Sequence, residues 1–518
     1  MKKKIMICAL ALALLSGLAA CKTTQTGNQE DGLTQISLLF SENGTAPYKS
    51  DWMVLKEFEE RKNVKLNLQV VPSSDYATKR SVVFASGDIP DLLSNTWPNE
   101  VSQYASEGIL LPVSDYVDQL PNLKNIMETW DLEDTIKDIS ERDGKFYVFP
   151  GFRKTNVNTQ SFHIRQDAFE EAGIPIPTTY DELADALLQL KEKYPDSLGL
   201  GDMYNGDFLL SFVASSFNTK GGWSLPNGYS YHPETDEWYF APTSEEYKTM
   251  LQYLNKLYVN GCLDPEGFTQ DANQFDQKVL TGKYLVFPGG DMGEAITRTE
   301  KIIAAGTPDA KVTAILPLAG PTGLAKTKPG SKSGEGVGMP ASCAEREDFD
   351  KVLDFCDWLY YSEEAAILTN CGVEGEQFDM VDGQLVYKDN IQTALNPTGE
   401  LVKDRDFGIG QMGMRSLATD ILPDEIRYAG TAPEVLEFKQ QLIDMDAGVQ
   451  DDPILKMTPQ QLERSKMLIT TLNDYTGTMI LKFIYGQESF DNWDAYVQEC
   501  ENKGAKELIE IVEEAWRA

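Results

Sequence analysis

The sequence has 518 residues, of which 42% are hydrophobic, and a formal net charge of −35 at pH 7. A chain of this length supports more than one domain, and its apolar content is ample for a buried core. Nucleic acids bind surfaces with concentrated lysine and arginine, so the acidic excess argues against a nucleic-acid-binding protein and favours a surface charge that keeps the protein soluble.

The first twenty residues have the pattern of a secretory signal peptide. Three lysines at positions 2–4 precede an almost entirely apolar run from Ile5 to Leu15, and small residues then lead into Cys21. The apolar run is shorter than the about 20 residues that a membrane-spanning helix needs. We therefore predict a cleaved signal peptide over residues 1–20 rather than a transmembrane anchor.

The cysteine that follows this segment has its own sequence context. Leu18, Ala19, Ala20 and Cys21 resemble a bacterial lipobox. The resemblance implies cleavage before Cys21 and attachment of a diacylglyceryl group to its sulfur, and two acyl chains anchor a protein stably in a membrane. Residues 21–33 are mostly polar and are predicted to be a lipidated tether at the extracellular face of the cell membrane.

The remaining cysteines and the histidines limit the chemistry. Five cysteines follow Cys21, and none shows metal-type spacing such as C-x-x-C. We expect mostly buried thiols, with one disulfide among Cys343, Cys356 and Cys371 as the alternative. Two histidines in the whole chain argue against a histidine-based triad or metal site. No cofactor and no metal are predicted, although calcium in an irregular cage of oxygen ligands stays open.

The body of the chain begins with alternating strand and helix patterns. Apolar residues alternate in TQISLLFS (34–41), take helical spacing in SDWMVLKEFEERKN (50–63), and alternate again in VKLNLQVV (64–71). A strand, a helix and a strand of these lengths form a βαβ unit and predict a parallel sheet. A short apolar strand at Leu92 and Leu93 follows and leads to Trp97.

Strong helix signals come next. Thr179 and Glu182 form a capping box at the start of TTYDELADALLQLKEKYP, and Thr243 with Glu246 repeats this pattern before a second helix. Further helices are predicted in DFDKVLDFCDWLYYSEEAAI and on both sides of Gly504. The strand-like pieces between helices are KFYVFP, YLVFPG, KVTAILPL and GVGMP. Helix outweighs strand in an α/β pattern.

Several stretches occur in an order that is typical of one family: ASGDIPDLL, DGKFYVFPG, HIRQDAFEEAGIPIPTTYDEL, GKYLVFPGGD, VGMPASCAEREDFDKVLDFCDWLYYSEEA and CGVEG. Behind a lipobox, this set resembles the large extracellular solute-binding proteins, family 1, of carbohydrate ABC importers. The similarity runs from about Ile36 to the C-terminus. The third stretch is the most informative, since Arg165 and Asp167 precede a helix, a break at Gly173, a proline loop and a capped helix.

The resemblance implies an α/β, two-lobed periplasmic-binding-protein-like fold with a hinge and an interlobe ligand cleft. Lobe 1 is expected over residues 34–154 and 290–341, and lobe 2 over residues 155–289 and 342–518. It also implies a monomer without enzymatic activity. Such a protein captures a carbohydrate, here an oligosaccharide by the size of the chain, closes over it, and delivers it to the membrane subunits of an ABC importer.

Candidate ligand-binding residues are loop residues that fit the chemistry of a sugar. Amides, carboxylates and arginine bind hydroxyls, and aromatic rings cover sugar faces. Trp97 follows a strand, which is where open α/β sheets bind ligands, and Trp223 lies behind two glycines in NTKGGWSLPNG. The other candidates are Glu42, Asn43, Tyr48, Phe152, Arg153, Asp291 and Glu374.

Each candidate has a structural alternative. The two tryptophans fit sugar contact and ordinary packing equally, and Phe152 fits packing at the hinge better than ligand contact. For Arg153 and Asp291 the alternative is a surface salt bridge, and for Glu374 it is the capping of a local turn.

Two other functional classes compete with a binding protein. A secreted lipoprotein that acts on glycosides needs two carboxylates across a cleft, but 81 acidic residues make such pairs unavoidable by chance. The nucleophile motif G-x-S-x-G and the zinc motif H-E-x-x-H are absent. A structural surface protein favours repeats or β-sandwich patterning, and the sequence has neither.

Overall fold

The computed structural model describes residues 32–44, 46–202, 206–270, 272–393, 395–396 and 398–517. The predicted signal peptide, Cys21 and nearly all of the tether lie outside these residues. The strands are β1 (Thr34–Glu42), β2 (Val64–Pro72), β3 (Leu92–Thr96), β4 (Val148–Phe152), β5 (Ser161–Arg165), β6 (Gly199–Leu200), β7 (Tyr229–His232), β8 (Glu237–Phe240), β9 (Tyr284–Gly289), β10 (Val312–Ala314), β11 (Ser333–Gly338), β12 (Phe378–Val381) and β13 (Gln384–Tyr387).

The helices connect and cover these strands. They are α1 (Met53–Lys62), α2 (Tyr76–Ser86), α3 (Ser102–Ser106), α4 (Pro121–Thr129), α5 (Glu133–Ile139), α6 (Gln166–Ala172), α7 (Tyr180–Lys193), α8 (Asp207–Ser216), α9 (Glu245–Val259), α10 (Ala272–Leu280), α11 (Met292–Ala304), α12 (Phe349–Tyr361), α13 (Glu363–Asn370), α14 (Lys403–Phe407), α15 (Asp424–Arg427), α16 (Pro433–Asp444), α17 (Pro459–Ile484), α18 (Trp493–Asn502) and α19 (Ala505–Arg517).

The first sheet has five strands in the order β2-β1-β3-β11-β4. β1 pairs in parallel with β2 and β3, which confirms the parallel sheet that the βαβ pattern predicted. β11 pairs antiparallel with both β3 and β4. The carboxyl ends of β1, β3 and β4 therefore meet the amino end of β11 at one edge of the sheet, where open sheets bind their ligands.

Side chains cover both faces of this sheet. Phe58 on α1 contacts the rings of Phe355 and Trp358 on α12, with centroids 5.6 and 6.0 Å apart, in the core below one face. Leu39 and Phe84 belong to a smaller core on the other face. Burial on both faces explains why β1 is apolar at Leu39 as well as at the alternating positions. We call this sheet with its cores the first lobe.

The second sheet has the order β10-β5-β9-β6 and forms the second lobe. Its larger core includes Ile164 of β5, Leu183 of α7, Leu254 of α9 and Phe483 of α17. A smaller core contains side chains from β9, β10, α11 and α16. The long helix α17 packs against α9 and α19, so the C-terminal helices complete this lobe.

Within the described residues, the chain passes between the lobes three times. Residues 153–160 join β4 to β5, residues 326–332 lead from the second lobe into β11, and residues 428–432 join α15 to α16. Residues 447–457 then run beside the second crossing. There the Gly330 amide donates to the Val449 carbonyl at 2.9 Å, and the Asp451 amide donates to the Gly330 carbonyl at 3.2 Å.

The sheets and cores divide the chain differently from the predicted lobe ranges. β10 falls within residues 290–341, predicted for lobe 1, but it pairs with β5 in the second sheet. α12 falls within residues 342–518, predicted for lobe 2, but its side chains fill the first core. The apolar stripe of a helix shows that the helix covers a sheet without showing which sheet it covers.

Local predictions from single residues agree more closely with the structure. Thr179 and Glu182 form the predicted capping box of α7. The second predicted cap is off by one residue, because Ser244 rather than Thr243 accepts the Tyr247 amide, at 3.1 Å. The five cysteines of the described residues are buried free thiols, as predicted. No helix in that part of the chain is long and apolar enough to cross a membrane.

Candidate functional site

A recess opens at the edge where the strands of the first sheet end. Phe152 ends β4, Gly334 and Glu335 lie near the start of β11, and a loop before α15 closes the remaining side. Its lining residues come from all three segments and from the loop after β3: Trp97, Gly151, Phe152, Arg153, Gly334, Glu335, Arg415, Ser416, Leu417 and Thr419. The recess therefore contains three of the residues that the sequence predicted for ligand binding, namely Trp97, Phe152 and Arg153.

Trp97 stands at this recess with 39% of its surface exposed. Asn95, two residues earlier, has φ = 47°, a left-handed conformation that asparagine adopts more readily than most residues. The Trp97 indole Nε1 donates to Asn95 Oδ1 at 2.9 Å. The turn at the end of β3 therefore holds the ring in place without burying it in the core.

Phe152 and Arg153 are neighbours in sequence with opposite environments. The Phe152 side chain is fully buried in the first core, and its backbone pairs with the 417–419 loop through N–H to Leu417 O at 3.0 Å. Phe152 is therefore a packing residue of the first core, as the structural alternative in the sequence analysis had it. Arg153 is exposed, and its side chain makes no hydrogen bond or ion pair with any described residue. The alternative of a salt bridge with Asp291 is absent from these residues.

Glu335 and Arg415 form an ion pair in the recess that the sequence analysis missed. The Arg415 Nη2 and Nε donate to the same oxygen, Glu335 Oε1, at 2.8 and 3.1 Å. Glu335 lies between glycines in SGEGVG, and the close approach of β4 requires Gly336, where a Cβ atom would lie 2.8 Å from the Phe149 carbonyl oxygen. A Cβ atom at Gly151 would lie 2.4 Å from the Glu335 carbonyl oxygen. The glycines around Glu335 are the signal in the sequence that marks this position.

Charged groups continue from the recess toward the second lobe. Burial and the neighbouring Arg415 lower the pKa of Arg153, whereas Glu335 and Asp451 act in the opposite direction. Burial lowers the pKa of Lys328 and raises the pKa of Asp451. Arg153, Lys328 and Asp451 influence one another electrostatically, so the two crossing segments and the 447–457 segment bring their charges close together.

Trp223 lies on the second lobe beside these charges. Its short helical turn, Gly222–Ser224, presses against the start of α8, where a Cβ atom at Gly222 would lie 1.9 Å from the Asp207 carbonyl oxygen. The Trp223 ring is 44% exposed and packs against Phe208 with centroids 5.2 Å apart. Lys328 Nζ lies 5.7 Å from the centroid of the Trp223 ring. Cation and ring are thus close enough for a cation–π contact.

Glu42, Asn43 and Tyr48 lie at the same edge of the first sheet but do not line the recess. Glu42 ends β1, and its Oε1 accepts the Tyr48 amide at 2.8 Å. The Tyr48 ring contacts Trp52 edge-on with centroids 5.5 Å apart. These contacts close the loop after β1 on itself and leave Asn43 exposed.

Asp291 and Glu374 do not line the recess either. Asp291 is the N-cap of α11 and accepts the Glu294 amide at 3.1 Å. Glu374 is an exposed residue of the turn before β12, where its backbone bridges to Phe378. Helix capping and turn formation account for the two positions without a ligand.

No metal site accompanies the recess. Across the described residues, no group of three or more histidine, cysteine, aspartate or glutamate side chains is arranged to hold a metal ion.

The sequence model of one family, described as bacterial extracellular solute-binding protein, matches residues 42–366. The chain belongs to this family. Its two lobes, its repeated crossings between them and its recess at the sheet edge agree with this assignment.

Curated relatives match nearly the whole chain. A fructooligosaccharide ABC transporter substrate-binding protein, FusA of Streptococcus pneumoniae serotype 4, is 23% identical over 97% of this chain and 96% of its own. A polygalacturonan/rhamnogalacturonan-binding protein, YtcQ of Bacillus subtilis, is 22% identical over 100% of this chain and 99% of its own. Lipoprotein LipO of Bacillus subtilis is 25% identical over 80% of both chains.

Solved structures share the fold. The Streptococcus pneumoniae FusA protein in complex with kestose superposes with a TM-score of 0.72 at 19% identity, covering 93% of this chain and 99% of that one. The two-lobed α/β fold that the sequence predicted is therefore confirmed.

Proposed function

We propose that this protein captures an oligosaccharide in the cleft between its lobes and delivers it to the membrane subunits of an ABC importer. The observation that carries the proposal is the recess, where exposed Trp97 stands beside Arg153, Glu335 and Arg415. Aromatic faces pack against the C–H faces of sugar rings, and guanidinium and carboxylate groups bind hydroxyls. This combination suits a carbohydrate better than an apolar ligand or a peptide.

Trp223 supplies a second exposed aromatic ring from the other lobe, next to Lys328. A ligand that contacts both lobes binds the closed protein better than the open one, and this difference is what drives closure. Glu42, Asn43 and Tyr48 extend the same sheet edge, and we propose that they contact further sugar units. Relatives named for fructooligosaccharide and for polygalacturonan/rhamnogalacturonan support a ligand of several sugar units.

Binding without turnover separates this function from that of a glycoside-active enzyme. The purified mature protein is incubated with a panel of neutral and acidic oligosaccharides while melting temperature and products are followed. We expect at least one member to raise the melting temperature, since ligand bound to the native state stabilises it, and to be recovered intact. Cleaved products contradict the proposal and favour the enzyme, and a panel without any stabilising member contradicts a carbohydrate ligand.

We also propose that the mature protein is a monomer held at the extracellular face of the membrane by lipid on Cys21. The lipobox and the relative that is named as a lipoprotein support this proposal. In cells fed labelled fatty acid, Cys21→Ala should abolish labelling and remove the protein from the membrane fraction or leave it uncleaved. Cys8→Ala, upstream of the expected cleavage site, is the matched control and should be labelled normally. Unchanged labelling of Cys21→Ala contradicts the anchor.

A further inference from the structure

Two cations at the candidate site have no hydrogen-bonded anion of their own. The side chains of Arg153 and Lys328 make no ion pair or hydrogen bond with any described residue. Lys328 contacts the Trp223 ring face instead. Most other basic side chains near this site do have a carboxylate partner, so the two unpaired cations differ from their surroundings.

The nearby carboxylates are already engaged. Glu335 accepts two hydrogen bonds from Arg415, at 2.8 and 3.1 Å. Asp452 pairs with Lys220 at 2.6 Å and also accepts the Tyr231 amide.

Two further acidic groups, Asp420 and Asp451, lie near these cations. Asp420 is nearly buried, pairs with Arg427 and accepts the Lys154 amide at 2.7 Å. Asp451 is therefore the carboxylate left to balance both Arg153 and Lys328.

The surroundings of these cations favour an anionic ligand. Lys328 is half-buried, and loss of solvent lowers its pKa; Arg153 stays exposed at the recess, and its pKa is lowered by partial loss of solvent and by the neighbouring Arg415. An anion bound near both cations offsets this cost by its attraction to them. A guanidinium and an ammonium are the groups that bind carboxylates most strongly, and the Trp223 ring lies within reach of the same ligand.

We propose that the bound oligosaccharide is acidic, and that Arg153 and Lys328 hold the carboxylate of a uronic acid unit while Trp223 covers its ring. This inference rests on the proposed function and names the ligand class of the same site. It assigns Lys328, which the sequence analysis did not single out, a role in selecting the ligand.

The test compares sugars that differ only in charge. Binding of trigalacturonate, trimannuronate and triglucuronate to the mature protein is measured by calorimetry against the methyl ester of each, with neutral kestose, cellotriose and mannotriose added. We expect at least one acid to bind about tenfold or more tightly than its ester, with an affinity that falls as salt rises. Equal affinity for every acid and its ester, or binding of the neutral sugars alone, overturns the inference.

Single substitutions test whether Arg153 and Lys328 cause the preference for acidic sugars. Arg153→Gln and Lys328→Gln should each weaken binding of the preferred acid about tenfold more than they weaken binding of its ester, and Arg153→Lys should recover part of the loss. Lys332→Gln is the matched control: it removes one charge from the same segment, but Lys332 is already paired with Asp131 at 3.0 Å. An unchanged preference in Arg153→Gln and Lys328→Gln overturns the inference.

The two proposals fail in different ways. Tight binding of a neutral trisaccharide without any acid preference leaves the proposed function intact and overturns only the acidic ligand. Absence of binding across the whole panel contradicts both.

Discussion

Trp97 and Trp223 leave 39% and 44% of their surfaces in contact with solvent, while the chain around each ring fixes its position. Large fixed aromatic rings bring contact area at small conformational cost, which is why they dominate binding hot spots. Trp52, by contrast, is completely buried beneath Tyr48 and Phe40. We therefore expect Trp97 and Trp223 to contribute to ligand binding and Trp52 to contribute to folding.

Truncation of the exposed rings should weaken binding more than folding. We expect Trp97→Ala and Trp223→Ala to lose about 2 kcal/mol or more of binding free energy, as hot-spot residues do, and to change the melting temperature of the unliganded protein little. Calorimetry and thermal unfolding of the same preparations measure both quantities.

The matched control is Trp52→Ala, which should lose about 3–5 kcal/mol of stability because it leaves a cavity in the core. Heavy loss of stability in the two exposed-ring variants, with normal sugar binding by the folded remainder, contradicts their role as ligand contacts.

Burial of His163 should make the free energy of unfolding fall in acid. It is fully buried on β5, Gly290 O accepts its Nε2–H at 3.1 Å, and burial lowers its pKa to about 4. Between pH 6.5 and pH 4 the unfolded chain binds a proton that the folded chain does not, so the free energy of unfolding falls as pH falls. The full contribution is about 3 kcal/mol.

Denaturant unfolding at several pH values measures this slope. His163→Gln keeps a donor for Gly290 and cannot titrate, so its free energy of unfolding should fall less between pH 6.5 and pH 4. Glu294 lies beside His163. Burial raises its pKa, but Arg298 and His163 lower it by more, so the folded state loses stability when Glu294 is protonated. Some acid sensitivity should therefore remain in His163→Gln. An identical pH slope in the variant and the wild type contradicts the assignment.

The sequence predicted residues of the recess only where their position along the chain was informative. Trp97 and Arg153 directly follow apolar strands, and strand ends gather at one sheet edge. Glu335 and Arg415 are 80 residues apart, and either is one charge among many until the fold joins them. Asp291 and Glu374 also follow apolar segments in loops, but Asp291 caps α11 and Glu374 lies in the turn before β12.

At the scale of secondary-structure elements, the contact between β4 and β11 shapes the recess. Glycines at 151 and 336 let the two strands approach, since a Cβ atom at either position would lie within 3 Å of a backbone oxygen. The register also shifts within β11 against both of its neighbours. The bulged, glycine-rich strand turns Glu335 toward Arg415, and bulges often serve to re-aim a side chain in this way.

Gly151→Ala tests this arrangement. The added methyl group must displace the Glu335 backbone, so we expect a loss of about 1–3 kcal/mol of stability and weaker ligand binding. Gly477→Ala is the matched control, because Gly477 is an exposed position in α17 with no atom within 4 Å of a Cβ. That change should raise stability by up to about 1 kcal/mol and leave binding intact. Equal behaviour of the two variants in thermal unfolding contradicts the steric argument.

Prediction of elements from the sequence succeeded where one local cause is sufficient. The alternation in β1 and β2 and the capping box of α7 act within a few residues, and the structure has all three. The assignment of elements to lobes failed at β10 and α12, since pairing with β5 and packing on Phe58 depend on residues distant in the chain. The hydrophobic periodicity of an element shows which of its faces is buried but not which sheet or helix covers that face.

At the scale of the whole molecule, the charges and rings of the site are divided between separately packed bodies. Trp97 and Arg415 belong to the first lobe, Trp223 belongs to the second, and Lys328 lies on a crossing segment. Each lobe has its own sheet and core, so a relative movement of the lobes requires changes only in residues 153–160, 326–332 and 428–432 and in the neighbouring 447–457 segment.

Closure of the cleft should therefore accompany binding. A ligand that contacts both Trp97 and Trp223 is bound more tightly when the lobes approach, and the closed population rises with the difference in affinity between the two states. We expect small-angle X-ray scattering to show a lower radius of gyration when the mature protein is saturated with a sugar that stabilises it. A sugar that leaves the melting temperature unchanged is the control and should leave the radius unchanged. Full occupancy by calorimetry at a constant radius contradicts closure and indicates a rigid, preformed site. Trp223→Ala separates the two lobes' contributions, because a ligand held by the first lobe alone should still bind, more weakly, and compact the protein less.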